Sequence, residues 1–363
     1  FFDAGRAPKQ AENRKKCLLE LLKPDDLKRS VRLKMLAVCA GLNQAADVRP
    51  DVICESLFAE LIEDTQNKFS MIERCNLTDF FWELIERVYG YAALAPSIKD
   101  FSIEMFKSCY ALSLSNPKPH DQVSLNNDAL VLFKRWKDSR KHGSVFETLS
   151  HDYAELLDIE GDLNNRDLKD VIEIDYYRLI EQKIIIDLVK TVEQRTLSEG
   201  EITKLCRERH QSHWYAEFEQ LYIAVEVASQ FLTQLDAIQF NMSNSSTAVH
   251  GYVRRWFKID QMYRKFIYAL KSSGQMTLLS NLTDKIEGLY TNSFLNPLAT
   301  QWQGEVDKMD SWSVPDTAPQ QRFYSRWVRP YTERGKKICV IISDALRYEA
   351  ADEMVSRINR ENK

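Results

Sequence analysis

Apolar residues recur along most of this chain at the three-to-four spacing of a helix buried on one face. After KPDD they fall at Leu27, Val31, Met35, Val38 and Cys39, and Gly41 supplies a stop. Pro50-Asp51 opens a second helix with Ile53, Leu57 and Leu61 on one stripe. NLTDFFWELIERVYG predicts a helix with Thr78 as N-cap and Gly90 at its end. In SIKDFSIEMFKSCYAL, Ser97 and Asp100 make a variant capping box, and Ile98, Phe101, Met105, Cys109 and Leu112 form the buried stripe. Val145, Phe146, Leu149, Tyr153 and Leu156 mark a further helix, and EGDLNNRD reads as a polar connection. Longer helices are expected over about 168–196, 200–240 and 246–272.

Prolines and polar runs divide this helical pattern. SNPKPHD at 115–121 denies the backbone a helix, so it is expected to separate a lobe at 1–115 from a second at 121–300. EVDKMDSWSVPDTAPQQ lacks an apolar period, and FYSRWVRPYTERGKK predicts a short helix ending near Gly335, so 301–335 reads as linker plus short helix. Then the period changes. Ile338, Cys339, Val340, Ile341 and Ile342 are consecutive, which predicts a strand buried on both faces of a parallel sheet. ALRYEAADEMVSRI follows as an amphipathic helix, with Leu346, Ala350, Met354 and Ile358 spaced by four. The expected fold is a mainly α, two-lobed region followed by the first strand and helix of an α/β domain at 336–363.

Composition narrows the function classes. The 363 residues are 44% hydrophobic and 28% charged with net charge −4, which fits a globular protein and argues against a DNA-binding domain built on bulk positive charge. No apolar run reaches the ~18–20 residues of a membrane span. The seven cysteines are scattered without a CxxC pair, as expected of reduced core thiols in a cytoplasmic protein. FFDAGRAPKQ has no Met and no apolar leader, so the chain is expected to be an internal piece of a longer protein. No GxxxxGK[ST], GxGxxG or GxSxG occurs.

The candidate chemistry lies in three places. Asp344 stands at the carboxyl end of the predicted strand, where open α/β sheets place their sites. Its carboxylate can ligate a divalent metal or cap the following helix, and the residue pattern leaves both open. Arg347 and Glu349 read as solvated helix residues. His210, His213 and Glu217 would share one helix face, as metal donors or as a solvated surface. His120, His142, His151 and His250 are isolated. Two basic-aromatic clusters are nucleic-acid candidates. FKRWKDSRKHG carries Arg135, Lys137, Arg140 and Lys141 around Trp136; YVRRWFKIDQMYRKF carries Arg254, Arg255, Lys258, Arg264 and Lys265 among Tyr252, Trp256 and Phe257. An amphipathic helix with its aromatics in the core explains the same spacing.

VIISDALRYEAADEM closely resembles the opening motif of the PglZ family, phosphatase-like proteins of BREX bacteriophage-exclusion systems. YSRWVRPYTERGKKICVIISDALRYE is similar to the approach to that domain. RERHQSHWYAEFEQLYIAVEVASQFL (207–232) and LVLFKRWKDSRKHGSVFETLS (130–150) are similar to its upstream helical region, so the resemblance covers nearly the whole chain. It implies an alkaline-phosphatase-like domain beginning near 336, with Asp344 as a ligand to one of one or two divalent metals, commonly zinc. It implies a metal-dependent phosphoester hydrolase whose partners are other BREX proteins, with DNA a candidate substrate. One carboxylate cannot hold a catalytic zinc, which takes about three protein ligands, so this piece is expected to bind no metal and to be inactive alone, mainly as helical scaffold. The alternative is a non-catalytic docking platform for other defence proteins.

Overall fold

The computed structural model describes residues 8–63, 65–119, 121 and 123–362; the opening residues and His120 lie outside them. The chain is mainly helical and forms two compact units, one of residues up to Ile184 with Gln211–Ala216, the other of Ile185–His210 with Glu217 onward. In the first unit lie α1 (Pro8–Leu21), α2 (Lys28–Cys39), α3 (Pro50–Ile62), α4 (Asn67–Arg74), α5 (Thr78–Tyr89), α6 (Ile98–Ser113), α7 (Asn127–Lys137) and α8 (Gly143–Leu156), then the short α9 (Ile159–Leu163) and α10 (Leu168–Val171). Helix α11 (Arg178–Gln194) runs from one unit into the other.

Local chemistry sets these ends. Pro50 occupies the first turn of α3, where a missing N–H costs nothing. Ser97 caps α6 by accepting from the Asp100 amide at 3.1 Å, but the Asp100 side chain takes the Tyr91 hydroxyl at 2.6 Å instead of closing the box. Thr78 is the first helical residue of α5 and Leu77 its N-cap, so the predicted threonine cap is not made. Gly90 ends α5 at φ +80°, a conformation glycine adopts without steric penalty.

The core of the first unit is aromatic. Phe106 on α6 meets Phe133 at 4.8 Å, Phe146 at 5.0 Å, Tyr153 at 5.4 Å, Trp136 at 5.7 Å and Tyr177 at 5.8 Å between ring centroids. Helices on both sides of 115–121 supply these rings, so the proline-bearing loop lies inside one unit rather than between two lobes. The polar connection at 160–167 is partly helical. Its Arg166 is 2% exposed and bridges Asp121 at 2.5 Å and Asp162 at 3.0 Å.

The second unit holds α12 (Glu199–Glu208), α13 (Tyr215–Asp236), α14 (Ser245–Gly251), α15 (Phe257–Ser272), α16 (Ser280–Leu289), α17 (Asn296–Val306), α18 (Arg329–Thr332) and α19 (Tyr348–Glu361). The helix expected over 200–240 breaks at 209–214. That over 246–272 is continuous but carries a π turn at Tyr252–Trp256. A β-carbon on Gly251 would lie 2.5 Å from the Trp256 indole, so glycine is what lets that ring lie against the backbone.

No strand is present among the described residues. The run at 338–342 has no regular secondary structure and is exposed, with Ile341 at 88% and Ile342 at 92%. The expected buried strand is therefore not formed among the described residues: strand hydrogen bonds come from a neighbour, and none of these residues offers one. The fold of the described residues is therefore α, and the α/β opening is not formed among them.

Replacing Phe106 by Ala removes the ring at the centre of the cluster and should cost about 3–5 kcal/mol in urea unfolding. Leu94→Ala, at a fully exposed position, should stay within about 0.5 kcal/mol.

Candidate functional site

Asp344 lies in a turn with Ala345, four residues before α19 begins. Arg347 is the N-cap of α19, so Asp344 does not cap the helix, and the capping alternative falls. Its neighbour Ala345 has φ +55°. A β-carbon makes that region costly by roughly 1–2 kcal/mol, and such outliers gather at functional turns. Asp344 itself is exposed and makes no hydrogen bond among the described residues.

The helix after this turn docks by charge. Glu349, expected to be solvated, is 1% exposed. Its Oε2 accepts from Arg264 Nε at 2.7 Å, and Glu353 Oε2 accepts from Arg264 Nη2 at 2.5 Å. Lys265 lies 3.8 Å from the same Glu353 oxygen, and Arg357 donates to Glu353 Oε1 at 2.6 Å. Burial works to raise the Glu353 carboxyl, yet the bonds from Arg264 and Arg357 outweigh it and hold it at about 2. The expected apolar stripe of α19 is the open side instead. Leu346 is 45% exposed, Met354 49% and Ile358 48%.

The other candidates fall into place less neatly. His210 sits in a 3-10 turn at Arg209–Gln211, His213 in the turn after it, and Glu217 in α13, so the three do not share one helix face. His213 Nε2 instead pairs with Glu147 Oε1 at 2.9 Å. No group of three metal-donor side chains occurs among the described residues, around Asp344 or elsewhere. The described residues therefore do not make up a metal site.

Both basic-aromatic clusters bury their aromatics: Trp136 is fully buried, and Trp256 and Phe257 are core residues. Tyr252 gives its hydroxyl to Asp260 at 2.6 Å. Burial first, then that bond, pushes the phenol up. The cations divide. Lys137 is 10% exposed and bonded to Asp175 at 2.5 Å, and Arg135 pairs with Asp51. Arg140, Lys141, Arg254, Arg255 and Lys258 are exposed and make no ion pair among the described residues. An apolar pocket of about 300 Å³, walled by Trp256, Leu298 and Trp302 among others, offers no titratable side chain beyond the Tyr252 phenol.

The comparisons with known proteins cover the Asp344 segment and most of the chain before it. A family model described as the BREX system PglZ alkaline phosphatase-like domain matches residues 323–363. The alkaline phosphatase-like protein PglZ of Bacillus cereus strain H3081.97 is 26% identical over 338 residues, covering 90% of this chain. The chain is a relative of the PglZ proteins. The alkaline phosphatase-like protein BrxZ of Escherichia coli O9:H4 strain HS is 29% identical over 380 residues and covers 96% of the chain. The likeness thus extends through the helical region, as the upstream motifs indicate. The chain spans 39% and 43% of the lengths of these two relatives. No solved structure gives a significant match. No helix among the described residues is long and apolar enough to cross a membrane.

Sequence reasoning placed Glu349 in water and Arg264 among the nucleic-acid candidates, and missed that they pair. The signal was present as two acids one helical turn apart, Glu349 and Glu353, opposite a basic Arg264-Lys265 pair. Pairing across 85 residues, however, leaves no local period.

A carboxylate held low in the folded state stabilises the fold above its ordinary value and loses that contribution as pH falls through the folded value. The Glu353 carboxyl, followed by carbon-13 NMR, should titrate near 2, well below its ordinary 4.5. Docking of α19 should weaken as pH falls between those values. In Arg264→Gln the midpoint should move back up toward 4.5; an unmoved midpoint would show that Arg264 does not set it.

Proposed function

We propose that this chain supplies the helical part and the opening βα unit of a metal-dependent phosphoester hydrolase, a phosphatase or phosphodiesterase, of a BREX bacteriophage-exclusion system. The observation that carries this reading is the family match over 323–363, which contains the apolar run and Asp344. In this reading 338–342 becomes a central strand when neighbouring strands pair with it. Asp344 then stands at that strand's carboxyl end and gives one oxygen ligand to a divalent ion, zinc being the favoured identity. A bound metal would supply Lewis-acid polarisation of the phosphoryl group. In this reading the chain alone, in whose described residues no three metal donors gather, is inactive and serves as scaffold. Its partners are other BREX proteins, and it acts in the cytoplasm.

A second reading has support in the same geometry. No group of three metal donors occurs among the described residues, and helices make up most of the chain. That arrangement suits a docking platform whose phosphatase-like segment is inert. The two readings part on one experiment. In the full-length protein, Asp344→Asn should lower metal-dependent hydrolysis of phosphodiesters and phosphomonoesters by about a hundredfold or more. Equal activity in both proteins removes Asp344 from the site, and no activity in either across several metals favours the platform.

DNA enters this reading as a ligand held by charge. With Trp256 and Phe257 in the core, Arg254, Arg255 and Lys258 are left to meet phosphates without base stacking. Replacing all three by Gln should weaken single-stranded DNA binding and flatten the log K against log salt slope by about 2, each phosphate contact being worth roughly 0.7. An unchanged slope assigns any DNA binding elsewhere.

A further inference from the structure

We propose that Arg264 is a positioning residue for the Asp344 turn, clamping the turn and its following helix onto one face of α15. The inference rests on the reading above only in taking the Asp344 turn as part of the functional site.

The contacts form a line. Tyr348 donates its hydroxyl to the Val253 carbonyl at 3.4 Å, and its ring meets Phe257 at 5.2 Å. Gln261 Nε2 donates to the Glu349 carbonyl oxygen at 3.0 Å, and Arg264 closes on Glu349 and Glu353. Val253, Phe257, Gln261 and Arg264 are spaced by four, four and three, which is one helix face. The first turn and a half of α19 lies along it, and that turn is joined to Asp344 through only three residues.

Arg264 holds this line because of what its loss would expose. Glu349 Oε1 is buried without a hydrogen-bond partner among the described residues, so Arg264 is the cation that compensates this carboxylate. Removing one partner of a buried pair leaves an uncompensated charge, which favours release of the helix into water over a partial adjustment. The face beneath is itself fixed. Asp260 accepts hydroxyls from Tyr252 at 2.6 Å and Tyr290 at 2.7 Å, and Tyr290 stacks on Tyr263 at 3.8 Å. A rigid helix, a bidentate guanidinium and a short connection together determine where the Asp344 carboxylate is held.

The test is a distance. Nitroxide labels go on Leu346→Cys, two residues past Asp344, and on Tyr268→Cys, an exposed position of α15. Cys17 and Cys339, the two cysteines that are not buried, are first changed to Ser. Double electron–electron resonance on the folded protein should give one narrow distance with Arg264 present. It should be partly lost in Glu353→Gln, which removes one arm, and replaced by a broad distribution in Arg264→Gln. A control pair on Val131→Cys and Leu156→Cys should not change, which separates loss of position from general loosening. A narrow distance retained in Arg264→Gln, or a broad one with Arg264 intact, overturns the proposal. Asp344→Asn should keep the narrow distance whatever it does to hydrolysis, so the clamp and the site reading fail separately.

Discussion

A helix satisfies its own backbone, whereas a strand has to borrow its partners, and this difference governs the whole chain. Wherever the sequence repeats apolar residues at helical spacing, the segment can close its hydrogen bonds locally and needs only one covered face. The run at 338–342 cannot. Its five apolar residues are the composition of a strand covered on both faces, but no neighbour among the described residues offers backbone groups, and the side chains stand in water. An exposed apolar segment of this kind is a ready template for another strand. The sequence preference and the observed exposure are two consequences of one unmet requirement.

Charge decides what hydrophobic patterning leaves open. Helix α19 has an apolar stripe and an acidic one, and pattern alone predicts that the apolar stripe goes inward. In the fold the acidic stripe turns inward, because α15 presents Arg264 and Lys265 to it. Burying Glu349 is tolerable only with the guanidinium in place. The result leaves Met354 and Ile358 exposed, as Ile341 and Ile342 are, within the segment that the family match covers.

Much of the fold was legible because its causes are local. Pro50 at a first turn, Ser97 as a cap and Gly90 at a left-handed end each act within a few residues of their helix. Phe146 and Tyr153 were legible too, as part of a stripe, although periodicity could not say that Phe106 would gather rings from three other segments. What was not legible depends on distant partners. The division of the chain passes through α11, a helix with an ordinary apolar period, while the obvious proline break at 115–121 sits inside one unit. The turn at 209–214 interrupts a pattern that reads as continuous helix, and it carries His213 to Glu147 instead of leaving it on a shared face with Glu217. Among the basic residues, spacing could not tell Lys137, which is bonded to Asp175, from Arg254, which faces water.

The placement of Asp344 combines these constraints. The proposed ligand role asks Asp344 to stay accessible, which forbids strong partners of its own, and to be held still, which demands them nearby. Asp344 meets the first condition by lying exposed in a turn. The second is met at one remove, by residues that never approach a ligand: Glu349 and Glu353 fixed by Arg264, and Ala345 held at positive φ between them and the apolar run. Separating the group that faces a ligand from the groups that hold it lets each be satisfied without competing for the same hydrogen bonds. The same logic explains why the most specific part of the motif, SDALRYE, ends on a residue buried against α15 rather than on one that faces solvent.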